Sequence, residues 1–214
     1  MLTEEKEDYL KAILTNDGDV SFVSNKKLSQ FLNIKPPSVS EMVGRLEKEG
    51  YVETKHYKGA RLTEEGLKQT LDIIKRHRLL ELFLIEILQY NWEEVHQEAE
   101  ILEHRISDLF VERLDKILNF PKTCPHGGVI PRGDQYKEIF TTSILNFEPG
   151  ECVTVRRVRD KTELLVYLSS KDIYIRNTVE VVSKDDTNKV IILKRNDIVT
   201  ILSYENAMNI FAEK

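Results

Sequence analysis

Asn33-Ile34-Lys35-Pro36-Pro37-Ser38-Val39-Ser40-Glu41-Met42-Val43-Gly44-Arg45-Leu46-Glu47-Lys48-Glu49-Gly50 is the stretch that decides the fold. Two prolines open it, which suits a first helical turn because the missing N–H has no intrahelical partner there. Gly50 closes it, as glycine does at the position after a helix cap. Between them Val39, Met42, Val43 and Leu46 recur at helical spacing and are expected to face a core, which leaves Ser38, Ser40, Glu41 and Arg45 outward. Just before it, Asn25 opens a short helix carrying Leu28, Phe31 and Leu32, joined through the tight Asn33-Ile34-Lys35 connection. Further back, Thr3 is expected to cap a helix reaching about Asn16 with Tyr9, Leu10, Ile13 and Leu14 on its stripe. Asn16-Asp17-Gly18-Asp19 then reads as a turn.

After Gly50, Tyr51–Thr54 and Ala60–Thr63 read as two short strands around Lys55-His56-Tyr57-Lys58-Gly59. Three short helices followed by a basic hairpin form the winged helix-turn-helix arrangement. A helix fits the major groove, and basic side chains beside it reach phosphate. Lys27, Lys35, Pro37, Ser38, Ser40, Arg45, Lys55 and Lys58 are the expected DNA-binding residues. A three-helix protein-interaction module is the alternative.

Charge places the basic surface in this segment. The 214 residues carry a net charge of −5, yet residues 21–61 hold eight Lys and Arg against four Asp and Glu. The deficit lies in residues 62–140, with ten basic and fifteen acidic side chains. An acidic chain with one locally basic segment still meets nucleic acid, because the local field governs phosphate contact. Hydrophobic residues at 41% and charged residues at 31% describe an ordinary globular protein. Cys124 and Cys152 are too few for a disulfide scaffold. Neither a membrane-spanning run nor an apolar signal core is present, so a cytoplasmic protein with no membrane partner is expected.

Thr63-Glu64-Glu65-Gly66 begins a long helix expected to end near Tyr90. Another is expected from Asn91-Trp92 to about Ser107, and a third from Asp108 to Leu118. These helices are more apolar than one buried face requires, which points to a second subunit. Residues 119–135, rich in Pro and Gly, read as a linker or ordered loop. Beyond Ser143 the runs 152–155, 163–168, 178–182, 190–193 and 198–202 read as strands of a small barrel, closed by a helical turn over 206–211. Cys152, alternating within a strand, is expected in the core.

One stretch carries chemistry. In Val95-His96-Gln97-Glu98-Ala99-Glu100-Ile101-Leu102-Glu103-His104, His96, Glu100, Glu103 and His104 fall at i, i+4, i+7 and i+8 on one helical face. His77 and Glu81 repeat the i, i+4 spacing on the preceding helix. So many ionisable groups on buried stripes are costly unless something neutralises them, and a divalent cation does so.

Winged helix, H-x3-E helix, H-x3-E-x2-E-H helix and small β domain together resemble the diphtheria-toxin-repressor family of metal-dependent transcriptional regulators. The Asp8-Tyr9-Leu10 element adds to the likeness, which covers essentially the whole chain. The resemblance implies mainly α architecture with a small β domain: a DNA-binding domain over 1–72, a helical dimerisation and metal-binding domain over 73–140, and an SH3-like domain over 141–214. It implies a homodimer through residues 73–140 that binds palindromic operator DNA when metal-loaded and represses metal-uptake genes. The primary metal site it implies is Asp8, Glu100, Glu103 and His104. Iron-responsive members place sulfur ligands where this chain has Asp8 and Glu100. Three carboxylates and an imidazole make a hard site suited to Mn²⁺, with Fe²⁺ or Zn²⁺ as alternatives. Short manganese regulators carry Glu three residues after the aspartate; here that residue is Lys11. A second site drawn from His77, Glu81, His96, Cys124, His126 and Asp160 is also implied. Within it Cys124 is either a ligand or a small buried hydrophobe, and His126 either a ligand or a surface residue. His77 and His96 either complete this site or border it.

An enzyme is not expected, since neither H-E-x-x-H, a Gly-rich phosphate loop nor a serine nucleophile elbow occurs. A winged-helix regulator sensing an organic ligand remains the other reading; its DNA binding would ignore chelators.

Overall fold

A computed structural model describes residues 2–133 and 135–214. The chain divides into two compact units, Met1–Arg76 and His77–Lys214.

In the first unit, α1 (Glu4–Thr15) begins after Thr3, whose side chain makes no cap bond; Glu4, Glu5 and Glu7 instead place negative charge in the first turn. α2 (Asn25–Leu32) is capped by Ser24, whose hydroxyl accepts the Lys27 N–H at 3.2 Å. It ends on Asn33 in the left-handed region, and α3 (Pro36–Lys48) follows at once. β1 (Val52–Lys55) and β2 (Gly59–Leu62) pair antiparallel from Val52 opposite Leu62 to Lys55 opposite Gly59. Val23 joins them through paired backbone bonds with Ala60 at 2.7 and 2.9 Å. Gly59 is needed there: its φ is +100°, and a Cβ would fall 1.9 Å from the Val23 carbonyl oxygen. Leu10, Ile13, Leu28, Val39, Leu46 and Val52 form the core, each burial contributing about 1.5–3 kcal/mol. The outward set of α3, including Ser38, Ser40, Glu41 and Arg45, is exposed, as its periodicity requires.

The division between units falls within α4 (Glu64–Glu86), whose start is fixed by the Thr63 hydroxyl accepting the Gly66 N–H at 3.0 Å. This helix stops four residues short of the expected Tyr90, and Gln89 turns the chain at φ +60°. In the second unit α5 spans only Val95–Leu102, not Asn91–Ser107. Glu103 is its helical C-cap, with its N–H bonded to the Ala99 carbonyl, and His104 lies in the turn beyond. The single-face reading therefore holds for His96 and Glu100, while Glu103 and His104 are delivered by the helix end. α6 (Asp108–Ile117) is capped by Ser107. The segment after it is an ordered loop, folded around an antiparallel bridge between Thr123 and Val129.

The sheet comprises β3 (Cys152–Val158), β4 (Thr178–Asp185), β5 (Val190–Arg195), β6 (Ile198–Ser203) and β7 (Ile210–Glu213), in the antiparallel order β6-β5-β4-β3-β7. Three expectations fail here. Residues 163–168 are not a strand but the middle of α7 (Thr162–Ser170); Leu164, Leu165 and Leu168 bury one helical face, a pattern that a short apolar run conceals. The closing helical turn is α8 (Tyr204–Ala207), and the chain then adds β7 beside β3. Cys152 is exposed rather than in the core, because Val153 and Val155 hold the inward parity of β3. Among the described residues no helix is long and apolar enough to cross a membrane.

Candidate metal centres and nucleic-acid interface

The spacing of His77 and Glu81 puts both on one face of α4, and α5 brings His96 and Glu100 against them. His77 Nε2 lies 3.1 Å from Glu81 Oε1 and 3.0 Å from His96 Nδ1. On its other side, His77 Nδ1 lies 2.5 Å from Glu103 Oε2 and 3.7 Å from Glu100 Oε1. A proton on Nδ1 bonded to Glu103 leaves Nε2 as the lone-pair atom facing Glu81 and His96, the orientation a metal ligand needs. Glu103, expected in the primary set, thus also holds a residue of the second set in place.

The six residues of the second set fall into two overlapping groups. His77, Glu81, His96 and Asp160 each offer a ligand atom within 4.8 Å of the others, and so do Glu81, Cys124 and His126. Glu81 and His126 are both fully buried. The His126 Nε2–H donates to the Trp92 carbonyl at 3.0 Å, so in the neutral ring Nδ1 carries the lone pair. That Nδ1 lies 2.9 Å from Asp160 Oδ1 and 3.2 Å from Glu81 Oε1 without hydrogen-bond alignment. Among the described residues, His126 Nδ1, Asp160 Oδ1 and Glu81 Oε2 are buried polar atoms with no hydrogen-bond partner. Unmet buried polar atoms cost about 1–3 kcal/mol each, and more when charged. A cation held by Glu81, His126 and Asp160 would give such buried groups a partner, so the residues present fit a divalent metal.

Protons supply part of this charge when metal does not. Burial opposes a charged His77, but the Glu81 and Glu103 carboxylates outweigh it and push its pKa up to about 10. Burial likewise opposes a charged His126, yet Glu81 and Asp160 hold it well above the ordinary imidazole range. Burial and the nearby Glu81 charge push the Cys124 thiol up to about 11. All three therefore bear protons at neutral pH, whereas ligation requires neutral imidazole and thiolate. Metal binding is expected to release at least one proton per ion, and apparent affinity to rise with pH. Calorimetric titration in buffers of different ionisation enthalpy measures this; an enthalpy independent of buffer would contradict it.

The remaining primary-set residues lie on separate elements: Asp8 on α1 of the first unit, Glu100 on α5, and His104 just after it. His104 Nε2 is 3.5 Å from Glu103 Oε1, and His77, Glu100 and Glu103 form a third group of possible ligands.

At the candidate nucleic-acid interface, the residues expected from the sequence, Lys27, Lys35, Pro37, Ser38, Ser40, Arg45, Lys55 and Lys58, are all exposed. Arg45 pairs with Glu41 at 2.5 Å, and the Ser40 hydroxyl accepts from Asn25 Nδ2 at 3.0 Å while donating to the Pro36 carbonyl. Between α3 and the hairpin lies a groove of about 590 Å³ lined by Asn25, Lys26, Ser40, Gly44, Lys55 and His56. Tyr57, at the hairpin tip, is 95% exposed with φ +61° and an edge-on contact to His56. A bulky residue in that backbone region is strained, and such strain gathers at functional sites. Lys58→Ala is expected to weaken DNA binding across all sequences and reduce the salt slope of log affinity by about 1, measured by fluorescence anisotropy at several salt concentrations.

Sequence reasoning missed Tyr57, Trp92 and the Arg78–Glu138 pair. An exposed aromatic between lysines was a visible signal for Tyr57. The others act through tertiary contacts that spacing does not reveal.

Family models match the chain in three consecutive segments. They are the iron dependent repressor N-terminal DNA binding domain over residues 1–60, the iron dependent repressor metal binding and dimerisation domain over 63–132, and the FeoA domain over 142–214. The structure of ScaR with bound Zn²⁺ is 36% identical, covering 98% of this chain and 99% of that one, with a TM-score of 0.88. That of the manganese regulator SloR is 35% identical over the full length of both, with a TM-score of 0.85. The iron-dependent repressor IdeR of Mycobacterium leprae is 28% identical over 227 residues, spanning all of this chain and 98% of that protein.

The arrangement is that of a metal-dependent DNA-binding repressor. The chain belongs to the iron-dependent repressor, or diphtheria-toxin-repressor, family and carries its carboxy-terminal SH3-like domain. Ile101, Leu109, Phe110 and Ile117 leave apolar surface within the segment matching the dimerisation domain.

Proposed function

We propose that this protein is a manganese-responsive, homodimeric repressor that binds palindromic operator DNA when metal-loaded and represses metal-uptake genes in the cytoplasm. Its working parts are the DNA-binding domain over 1–72, the helical dimerisation domain over 73–140 and the SH3-like domain over 141–214. The observation that carries the reading is a buried cluster in which Glu81 Oε1 and Asp160 Oδ1 flank His126 Nδ1 at 3.2 and 2.9 Å beside Cys124, a set that a cation completes. The manganese preference rests on the oxygen-rich primary set, Asp8, Glu100, Glu103 and His104, and on the likeness to the manganese regulator SloR. Asp8 belongs to the DNA-binding segment, and the other three to the dimerisation segment. One ion shared among them would fix the angle between the two segments. In a symmetric dimer it would also fix the separation of the recognition helices, which a palindrome requires to be about 34–36 Å or a multiple. Metal then acts as an allosteric effector.

An iron- or zinc-responsive regulator is the second reading, favoured by the buried Cys124 sulfur in the second centre, since thiolate selects softer ions. Selection of genomic DNA fragments by the purified protein, with Mn²⁺, Fe²⁺, Zn²⁺ or a chelator, tests both. Recovery of a palindromic site with Mn²⁺ at free concentrations where the other ions fail supports the proposal. Equal recovery with chelator overturns metal gating and returns attention to an organic effector.

A further inference from the structure

Taken as Glu81, Cys124, His126 and Asp160, the second centre would draw on three separate segments: α4 gives Glu81, the loop after α6 gives Cys124 and His126, and the connection after β3 gives Asp160. A centre assembled from such distant segments needs something to hold them in register when the ion is absent. The carboxylate of Glu138 contacts all three. Its Oε1 accepts from Arg78 Nη2 at 2.7 Å, and Arg78 neighbours His77 on α4. Its Oε2 accepts the backbone N–H of Val129 at 2.9 Å, on the far limb of the loop bearing Cys124 and His126. The same Oε2 lies 3.9 Å from Arg157 Nε, three residues before Asp160.

The two arginines extend the clamp. Arg78 also donates to the Val129 carbonyl, so that Arg78 and Glu138 between them hold both polar atoms of one loop residue. Arg157 donates to the Phe140 carbonyl at 2.9 Å and stacks over the Phe211 ring at 3.7 Å. Behind the loop, the Val158 N–H bonds to the His126 carbonyl at 2.9 Å, so β3 holds the ligand residue itself. Gly128 packs so closely on the Arg78 guanidinium that a Cβ would lie 2.8 Å from it. Glu138 touches none of the ligands.

We propose that Glu138 is a positioning residue for the second metal centre, clamping its three ligand-bearing segments through Arg78, Val129 and Arg157. The inference rests on Glu81, Cys124, His126 and Asp160 serving one ion. Outer partners of this kind typically change metal affinity by about 10- to 100-fold. Glu138→Gln keeps the size but loses the charge and faces one donor with another. Glu138→Ala removes the clamp.

The test is a Co²⁺ titration of the full chain in a Cys152→Ser background, so that thiolate-to-cobalt charge-transfer absorption reports Cys124 alone. Wild type is expected to show this absorption, and both Glu138 variants to reach it only at about 10- to 100-fold higher free Co²⁺. Binding of the other ion, circular dichroism and metal-free melting should stay close to wild type. Variants that titrate like wild type would overturn the clamp while leaving the ligand reading intact. Loss of absorption together with loss of the metal-free fold would also overturn it, since Glu138 would then be structural only. A wild type without thiolate absorption would overturn the ligand reading and the clamp with it.

Discussion

With Asp8 replaced by alanine, operator affinity in the presence of Mn²⁺ is expected to fall to that of the metal-free protein. Coupling between an effector and a distant binding site usually amounts to about 1–3 kcal/mol, or 5- to 150-fold in affinity, and the whole of it should vanish. The substitution removes the one primary-set carboxylate contributed by the DNA-binding segment and leaves Glu100, Glu103 and His104 in place. The dimer should persist, because the apolar surfaces of α5 and α6 are untouched. Anisotropy with operator DNA, run beside sedimentation analysis, checks both halves. Full metal responsiveness in the variant would sink the model of one ion shared between the segments.

Glu81→Ala is expected to destabilise the metal-free second unit by about 3–5 kcal/mol and to eliminate binding of the second ion. Glu81 is fully buried between His77, His96 and His126. Burial works against its charge, yet His126 and His77 hold its carboxyl well below the ordinary carboxylate range. Without it, the protons on the two buried imidazoles lose their nearest counter-charge. Those groups must then shed their protons or leave the interior. Urea denaturation of the metal-free chain measures the first effect, and equilibrium dialysis the second. A stability within 1 kcal/mol of wild type, with two ions still bound, would contradict both.

The winged helix was legible because its signals are local. Prolines at the start of α3, Gly50 after its end, and Val39, Met42, Val43 and Leu46 at helical spacing act within a few residues of one another. Ligand types were also legible, because His77 with Glu81 and His96 with Glu100 obey helical geometry. Less was visible where tertiary contact decides. Leu164, Leu165, Val166, Tyr167 and Leu168 satisfy a strand pattern and a helix pattern alike, and burial of the three leucines on one side selects the helix. Expecting α5 to continue through His104 treated the spacing as proof of helix length, whereas the chain leaves the helix at Glu103. The contacts that Glu138 makes with Arg78 and Arg157 span 60 and 19 residues, beyond any periodic signal.

The loop between Cys124 and Val129 contains two glycines with unlike constraints. Gly127 sits at φ +83°, and a side chain there would strike the Arg156 carbonyl oxygen at 2.1 Å, so both its own backbone and that of β3 oppose change. The atoms nearest a Cβ at Gly128 belong to the Arg78 guanidinium, the end of a side chain rather than backbone. Over evolutionary divergence, the first position is closed to every other amino acid while β3 keeps its course. The second is expected to open where a shorter residue replaces the arginine, so these adjacent positions are under separate constraints.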